Sequence, residues 1–371
     1  MTPFYRALAN ALSVLAAGLS MTAVAATPGP LPALNINIHE TSVSGISSGG
    51  FMSAQLQVAH SSIIKGAGIV AGGPFFCAQD NMITATTLCS CTGEPLLACK
   101  VTEDSAAVPA LVAETRSFFA QGLIDDPAHI AGQRVVTVAG DKDPLVPMPV
   151  QRQLHAYYGE FDLPAESLKS IELAQAGHTM PTIDFGAACS ATEQPYIGKC
   201  DFDAAGAILS WIYPDMVPPA GDDIPASGSF VEFDQSRYVP ERGMFSFLWS
   251  TGLDKTGWVY IPQSCAAGEP CRLHIALHGC KQGQSFLPLK PPPGGGLYNG
   301  TTFVKNTGYE RWADTNQLVV LFPQAVSIPG RNPNGCWDWW GYTDSHYATR
   351  EGVQIRAIRA MIDGLSAGAQ P

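Results

Sequence analysis

One short segment has the residue types and spacing of a hydrolytic nucleophile. The sequence GISSG at residues 45–49 fits the pattern G-x-S-x-G, with a strand-like run before it and an apolar, helix-like run after it. Small neighbours allow a serine to stand exposed on the sharp turn between a strand and a helix. The positive end of the helix then favours the negative charge that develops during attack on a carbonyl group. We predict Ser47 as a nucleophile; the alternative is a glycine-rich loop with a solvated serine.

A serine nucleophile needs a general base, and the base needs a carboxylate that orients it. His178 lies in a loop that follows the strand-like run 170–174, and Asp143 follows the strand-like run 134–139. The chain order serine, aspartate, histidine is that of α/β-hydrolases. We predict Asp143 as the acid and His178 as the base, with Asp141 as the second candidate for the acid.

A second motif, LHGCKQ at residues 277–282, also follows a strand-like run. In α/β-hydrolases a His-Gly motif after a strand contributes an oxyanion-hole amide, and it precedes the nucleophile. Here it lies after His178, and a circular permutation explains this order. The helix-like run 204–213 would be the usual last helix, residues 214–229 would connect the old ends, and the usual first strands would follow. Domain termini often lie close together, which makes such a rearrangement physically possible.

These motifs depend on strands and helices that alternate along the chain, which favours one mostly parallel sheet covered by helices. The strand-like runs are 34–39, 63–70, 134–139, 170–174, 257–261, 272–277 and 317–322. The helical candidates are 51–59, 204–213 and 352–365. Proline and glycine predict a connector at 214–229 and a loop at 291–296 that could cover a site. We expect a single α/β domain.

The first 25 residues have the pattern of a secretory signal peptide. Arg6 precedes an alanine-rich apolar stretch, and Ala-Val-Ala at 23–25 offers a cleavage site. The alternative is a membrane anchor, but no later segment approaches the ~20 continuous apolar residues of a spanning helix. We expect cleavage after residues 1–25, a catalytic domain at 26–371, no membrane span, and a secreted or periplasmic location.

Charge and cysteine content narrow the function classes. A net charge of −11 argues against nucleic acid as a partner, because a phosphate-binding surface needs clustered Lys and Arg. Ten cysteines after an export signal predict disulfides, and the paired CxxC motifs of a zinc site are not present. Short spacings favour the pairs Cys189 with Cys200 and Cys265 with Cys271. No metal and no cofactor is implied, and we expect a monomer.

Several segments together resemble poly(3-hydroxybutyrate) depolymerases. They are GISSGGFM at 45–52, the loops of Asp143 and His178, LHGCKQ at 277–282, GYERWAD at 308–314 and GCWDWW at 335–340. The resemblance is to the short-chain-length class with a circularly permuted (type 2) catalytic domain. It implies an α/β-hydrolase fold and a serine esterase that hydrolyses poly(3-hydroxybutyrate) or its oligomers through an acyl-enzyme. Many members carry a further polymer-binding domain, whereas this chain ends soon after its last helix, so we expect weak adsorption to crystalline polymer.

The resemblance also implies roles for individual residues. Ser47, Asp143 and His178 would be the catalytic triad. The backbone N–H groups of Ser48 and Cys280 would hold the oxyanion.

Trp337 looks like the aromatic wall beside the ester-binding crevice of that family. Alternation predicts that Trp337 and Trp339 share a face, and an exposed aromatic face suits an apolar polyester because burial of apolar area is its main attraction. The alternative is that these tryptophans fill a core. A disulfide between Cys280 and Cys336 would fix the oxyanion donor and the aromatic wall together; otherwise each cysteine pairs elsewhere.

Two other functions stay open at this point. One is an esterase for feruloyl or acetyl groups of plant cell walls. The other is an aromatic-rich binding module that has lost its chemistry, although the serine, aspartate and histidine settings are all present.

Overall fold

The computed structural model describes residues 27–219, 227–240 and 251–369. The predicted signal peptide and part of the predicted connector at 214–229 lie outside these ranges. The strands are β1 Ile36–Ile46, β2 Ile64–Val70, β3 Arg134–Gly140, β4 Leu168–Leu173, β5 Met180–Thr182, β6 Ala187–Ala188, β7 Ile197–Lys199, β8 Ser229–Asp234, β9 Thr256–Ile261, β10 Cys271–Leu277 and β11 Leu318–Phe322. The helices are α1 Ser48–Ala59, α2 Met82–Thr87, α3 Val108–Ala120, α4 Met148–Gly159, α5 Ala204–Ile212, α6 Gln263–Ala266, α7 Thr302–Asn306, α8 Tyr309–Thr315 and α9 Val353–Ser366.

The central sheet has the strand order β4-β3-β2-β1-β10-β11-β9-β8. The strands from β4 to β11 in this order are parallel to one another, whereas β9 runs antiparallel to both β11 and β8. A small parallel sheet, β5-β7-β6, lies outside it. A mostly parallel sheet with helices is consistent with an α/β-hydrolase-like fold. It also brings the carboxyl ends of β1, β3 and β10 to one edge, where the predicted site residues follow.

The core explains why the central strands are so apolar. Every residue of β11 is buried, as expected for a strand covered on both faces. Helices α1 and α9 contact each other and β1, whereas α5 and α8 form a second contacting pair against β2, β3 and β11. All residues of α1 are buried, so the helix that follows Ser47 is held on every side.

Strand β1 extends beyond its predicted end at residue 39 to Ile46, because its polar residues are buried with partners. Ser42 Oγ and Ser44 Oγ lie 2.7 Å from the two ring nitrogens of His274 in β10, and Ser44 Oγ also lies 2.6 Å from the Tyr309 hydroxyl. Burial lowers the pKa of His274 to about 3, so the ring is neutral. This network joins β1 to β10. Helices α3 and α4 are further elements that the sequence patterns did not predict.

All ten cysteines form disulfides. The pairs are Cys77–Cys89, Cys91–Cys99, Cys189–Cys200, Cys265–Cys271 and Cys280–Cys336. The three predicted pairs are therefore confirmed. Five disulfides fit a secreted protein. Among the described residues, no helix has the length and apolar character needed to cross a membrane.

Candidate active site

Ser47 lies on a sharp turn between β1 and α1. Its φ of 57° is positive, a region that L-residues rarely adopt. The Ser47 N–H donates to the Val70 carbonyl at 2.9 Å, and the Ser47 carbonyl accepts from the Phe51 N–H at 3.0 Å. Ser47 is partly exposed, whereas its neighbours on both sides are buried. The turn therefore has the strained geometry of a nucleophile elbow.

Glycines allow the β10 end to approach this turn. A Cβ added to Gly49 would lie 2.3 Å from the Leu277 carbonyl oxygen, and one added to Gly45 would lie 2.4 Å from the Gly49 carbonyl oxygen. A Cβ on Gly279 would lie 3.2 Å from the Ser47 Cβ. The loop that carries the His-Gly motif is therefore in direct contact with Ser47.

The structure pairs His178 with Asp143. His178 Nδ1 lies 2.7 Å from Asp143 Oδ2, and the two side chains are only 4% and 0% exposed. The other oxygen, Asp143 Oδ1, accepts from the backbone N–H groups of Leu145 and Val146 at 2.8 and 2.9 Å. The buried carboxylate thus has partners for both oxygens. Since Nδ1 is used by Asp143, Nε2 is the His178 atom left for a nucleophile.

Asp141, the second candidate for the acid, makes a different contact. Its Oδ1 accepts from the Gln175 N–H at 2.6 Å, which fixes the turn after β4. The His178 loop is held further along by Thr192, whose hydroxyl accepts from the His178 N–H at 2.9 Å. Neither contact was predicted, because no motif marks Gln175 or Thr192.

The loop at residues 278–282, which we call the oxyanion loop after its predicted role, is fixed by a buried neutral histidine. His278 Nδ1 donates to the Gly279 carbonyl at 2.7 Å, and Nε2 accepts from the Ala325 N–H at 3.0 Å. Burial lowers the pKa of His278 to about 4, which agrees with an unprotonated Nε2. Within the described parts of the chain, the Cys280 N–H has no protein acceptor. Ser48, the other predicted donor, is the first residue of α1.

The tryptophan segment lies against both motifs, but it is buried. Trp337 is 0% exposed and Trp339 is 6% exposed, so the expected exposed aromatic face is wrong. The Trp337 N–H donates to Ser48 Oγ at 3.3 Å, and its ring centroid lies 5.4 Å from that of His278. The Trp339 ring stacks on Phe51 with centroids 4.0 Å apart. Cys280 and Cys336 have Cα atoms 4.1 Å apart, so their disulfide joins this segment to the oxyanion loop.

Asp338 organises the tryptophan segment and was not predicted. Its Oδ1 accepts from the backbone N–H groups of Gly341 and Tyr342 at 2.8 and 3.0 Å, and its Oδ2 accepts from the N–H and hydroxyl of Thr343 at 2.8 and 2.5 Å. Burial raises the pKa of Asp338 to about 6, against the lowering effect of these hydrogen bonds. An aspartate with Gly-Tyr-Thr three to five residues later could have signalled this turn.

No group of three or more His, Cys, Asp or Glu side chains within the described ranges is arranged to hold a metal ion. The geometry at the sheet edge can support acyl transfer. It comprises a serine on a strained turn, a histidine–aspartate pair and, beside the serine, a loop whose Cys280 N–H has no acceptor among the described residues.

The fold and this constellation define an α/β-hydrolase-like enzyme. No protein-family model matches the chain. The chain is 38% identical over 370 residues to a poly(3-hydroxybutyrate) depolymerase of Delftia acidovorans, covering 98% of this chain and 67% of that protein. It is 37% identical over 368 residues to a polyhydroxybutyrate depolymerase of Talaromyces funiculosus, covering 95% and 96%. The chain therefore belongs to the poly(3-hydroxybutyrate) depolymerase family and is a serine hydrolase.

Solved structures agree with this assignment. A PHB depolymerase complexed with an R3HB trimer has a TM-score of 0.77 and 34% sequence identity, over 92% of this chain and 100% of that chain. The crystal structure of PHB depolymerase from Penicillium funiculosum has a TM-score of 0.76 and 35% identity over the same shares.

Proposed function

We propose that the protein hydrolyses poly(3-hydroxybutyrate) or its oligomers, with Ser47, His178 and Asp143 as the catalytic triad. The observation that carries this proposal is the buried His178–Asp143 pair at 2.7 Å, on the same sheet edge as the strained Ser47 turn. Ser47 attacks the ester carbonyl while His178 Nε2 takes its proton, and His178 then protonates the leaving alkoxide. Asp143 holds the proton on Nδ1 and stabilises the imidazolium. Water hydrolyses the acyl-enzyme by the reverse proton path.

The N–H groups of Ser48 and Cys280 are the proposed oxyanion donors. The Cys280 N–H is not used by another described group, and Ser48 begins a helix whose positive end points toward developing charge. The resemblance implies that Trp337 forms a wall of the ester-binding crevice, but its side chain is fully buried. We therefore propose that Trp337 supports the site from beneath, through its contact with Ser48 and its position beside His278.

Exposed apolar side chains near the site support a polyester substrate. On one side lies the loop closed by Cys91–Cys99, whose Cys91 N–H donates to the carbonyl of Leu145, two residues after Asp143, at 2.8 Å. The side chain of Leu96 in this loop is 92% exposed. On the other side, the loop that includes 291–296 is tied to the oxyanion loop at its end by Asn299. Its exposed apolar residues are Leu287, Leu289, Leu297 and Tyr298. A solid made of CH, CH₂ and CH₃ groups offers matching apolar area.

The strand order supports a circular permutation of the α/β-hydrolase chain, which we include in the proposal. Strands β8 to β11 come late in the chain but occupy the positions of the usual first four strands, beside β1. The two ends of the described chain also meet, since the Leu34 N–H donates to the Leu365 carbonyl at 2.8 Å. An engineered chain in which a linker joins the ends near Leu34 and Leu365, and new termini are opened within 214–229, is expected to be a folded, active enzyme. An unfolded product from several linker lengths would count against the permutation.

Export completes the proposal. We propose that residues 1–25 are a signal peptide, that residues 26–371 are one catalytic domain, and that the mature enzyme is a secreted or periplasmic monomer. The five disulfides support an oxidising compartment. N-terminal sequencing of the exported protein and light scattering test these points.

Clearing of polymer suspensions tests the substrate. We expect the enzyme to clear amorphous poly(3-hydroxybutyrate) granules, to act more weakly on crystalline polymer, and to leave methyl ferulate unchanged. Hydrolysis of methyl ferulate without clearing would replace the proposal with a feruloyl esterase. Adsorption to polymer without any product would indicate a binding module instead.

A further inference from the structure

One disulfide-closed segment contacts both the histidine loop and the oxyanion loop. We call residues 189–200 the strap, since Cys189–Cys200 joins its ends. At one point the Thr192 hydroxyl accepts from the His178 N–H at 2.9 Å. At another, Gln194 Nε2 donates to the Lys281 carbonyl at 2.7 Å. The strap therefore links two parts of the site that are about a hundred residues apart in the sequence.

The side chain of Gln282 completes this link. It is 3% exposed, so its amide must find partners within the protein. Its Oε1 accepts from the Gly279 N–H at 2.6 Å, inside the oxyanion loop. Its Nε2 donates to the carbonyls of Pro195 and Tyr196, both at 3.0 Å, inside the strap. The two Nε2 bonds connect the oxyanion loop to the segment that holds His178, and the Oε1 bond fixes Gln282 within the loop.

We propose that Gln282 is a positioning residue for ester hydrolysis, which fixes the Cys280 N–H relative to Ser47 and His178. This inference rests on the proposed function of those residues. An oxyanion donor contributes fully only if it is oriented before charge develops. Gln282 Oε1 holds the N–H of Gly279, the residue immediately before Cys280, and so restricts rotation of the backbone that carries the donor.

Contacts other than those of Gln282 also hold the loop in the fold. The Lys281 N–H donates to the Asn334 carbonyl at 2.7 Å, and Asn299 Nδ2 donates to the Lys281 carbonyl at 2.6 Å. The Cys280–Cys336 disulfide ties the loop a third time. Removal of the Gln282 amide is therefore expected to affect orientation more than folding.

Gln284 offers a matched control in the same loop region. Its Oε1 accepts from Trp258 Nε1 at 2.7 Å, and its Nε2 donates to the carbonyl and hydroxyl of Thr256, both at 2.9 Å. These bonds lead to β9 and not to the strap. Gln282→Met and Gln284→Met thus each remove one side-chain amide, at positions two residues apart. The lost bonds lead to the strap in the first variant and to β9 in the second.

The test compares both variants on soluble p-nitrophenyl butyrate. For Gln282→Met we expect kcat to fall about 10- to 100-fold with KM within twofold of wild type, below the loss for a deleted oxyanion donor. The rate of Ser47 inactivation by diethyl p-nitrophenyl phosphate, whose reaction also needs the oxyanion donors, is expected to fall in parallel. Gln284→Met is expected to keep kcat within twofold of wild type, even if its melting temperature drops as much as that of Gln282→Met.

Wild-type kcat in Gln282→Met, or equal losses of kcat in both variants, would overturn the proposal. If Gln282→Met does not fold, Gln282→Glu keeps the acceptor for Gly279 but turns an oxygen toward the two strap carbonyls, and the same loss of kcat is expected. Wild-type kcat in folded Gln282→Glu would likewise overturn the proposal. Activity in Ser47→Ala would refute the proposed function itself, whereas inactive Ser47→Ala beside fully active Gln282→Met would refute this inference alone.

Discussion

Replacing Asp143 by asparagine is expected to invert the hydrogen bonding of His178 while keeping the side-chain shape. Asp143 Oδ1 accepts two backbone N–H groups, from Leu145 and Val146. Because an amide NH₂ cannot accept them, the asparagine oxygen must take that position. The NH₂ group then takes the place of Oδ2 and faces His178 Nδ1, which lies 2.7 Å from Asp143 Oδ2 in the wild-type protein. A donor there requires an unprotonated Nδ1, so the proton moves to Nε2, the atom that must accept the Ser47 proton.

The wrong tautomer typically lowers kcat by about 10⁴-fold. This corresponds to about 5 kcal/mol of transition-state stabilisation. Asp141→Asn is the control, because an asparagine Oδ1 can accept from the Gln175 N–H as Asp141 Oδ1 does at 2.6 Å. Its kcat is expected to stay close to wild type.

Initial rates on p-nitrophenyl butyrate at neutral pH, with circular dichroism to verify folding, measure both variants. A folded Asp143→Asn that keeps more than a tenth of wild-type kcat would refute the reasoning. If Asp141→Asn is inactive and Asp143→Asn is active, the acid is Asp141.

Three further predictions concern stability. Replacing Cys280 and Cys336 together by alanine is expected to lower the free energy of unfolding by about 4 kcal/mol, because their disulfide closes a loop of 56 residues. It is also expected to lower kcat, because the disulfide holds the oxyanion loop. A loss below about 1 kcal/mol in urea unfolding would contradict the stability prediction. Burial lowers the pKa of His274 from 6.5, the value in the unfolded chain, to about 3 in the folded protein. The contribution of His274 to stability is therefore complete above pH 6.5 and is lost as the pH falls toward 3. The stability cost of His274→Asn is therefore expected to shrink by about 2 kcal/mol between pH 7.5 and 5, and a constant cost would argue against a neutral buried ring. Gly49→Ala is expected to give little folded protein, because its Cβ would lie 2.3 Å from a β10 carbonyl oxygen, whereas Gly132→Ala, with no atom within 4 Å, is expected to melt near wild type.

The site residues that the sequence predicted share a local signal. Ser47 has glycines on both sides, and Asp143 and His178 each follow a run of strand residues. Carboxyl ends of parallel strands meet at one sheet edge, so three such local signals are enough to predict a common site.

The features that were missed depend on partners far away in the chain. Ser42 and Ser44 interrupt the apolar pattern of β1, and their burial is favourable because of partners more than 200 residues later, His274 for both and Tyr309 for Ser44. The alternation of Trp337 and Trp339 predicts which side chains share a face, but not that residues near Ser48 and His278 cover it. Thr192 lies in no motif, and Gln282 ends the LHGCKQ motif without any local sign of its partners in the strap, because both roles arise from contacts between loops.

The claim that Ser47 is the nucleophile of a polyester hydrolase is tested most directly by the rate at which Ser47→Ala releases product from the R3HB trimer. We expect a folded variant, with the circular dichroism spectrum and melting temperature of wild type, whose rate of trimer hydrolysis is lower by a factor on the order of 10⁶. A folded Ser47→Ala enzyme that keeps a tenth or more of the wild-type rate would contradict the claim.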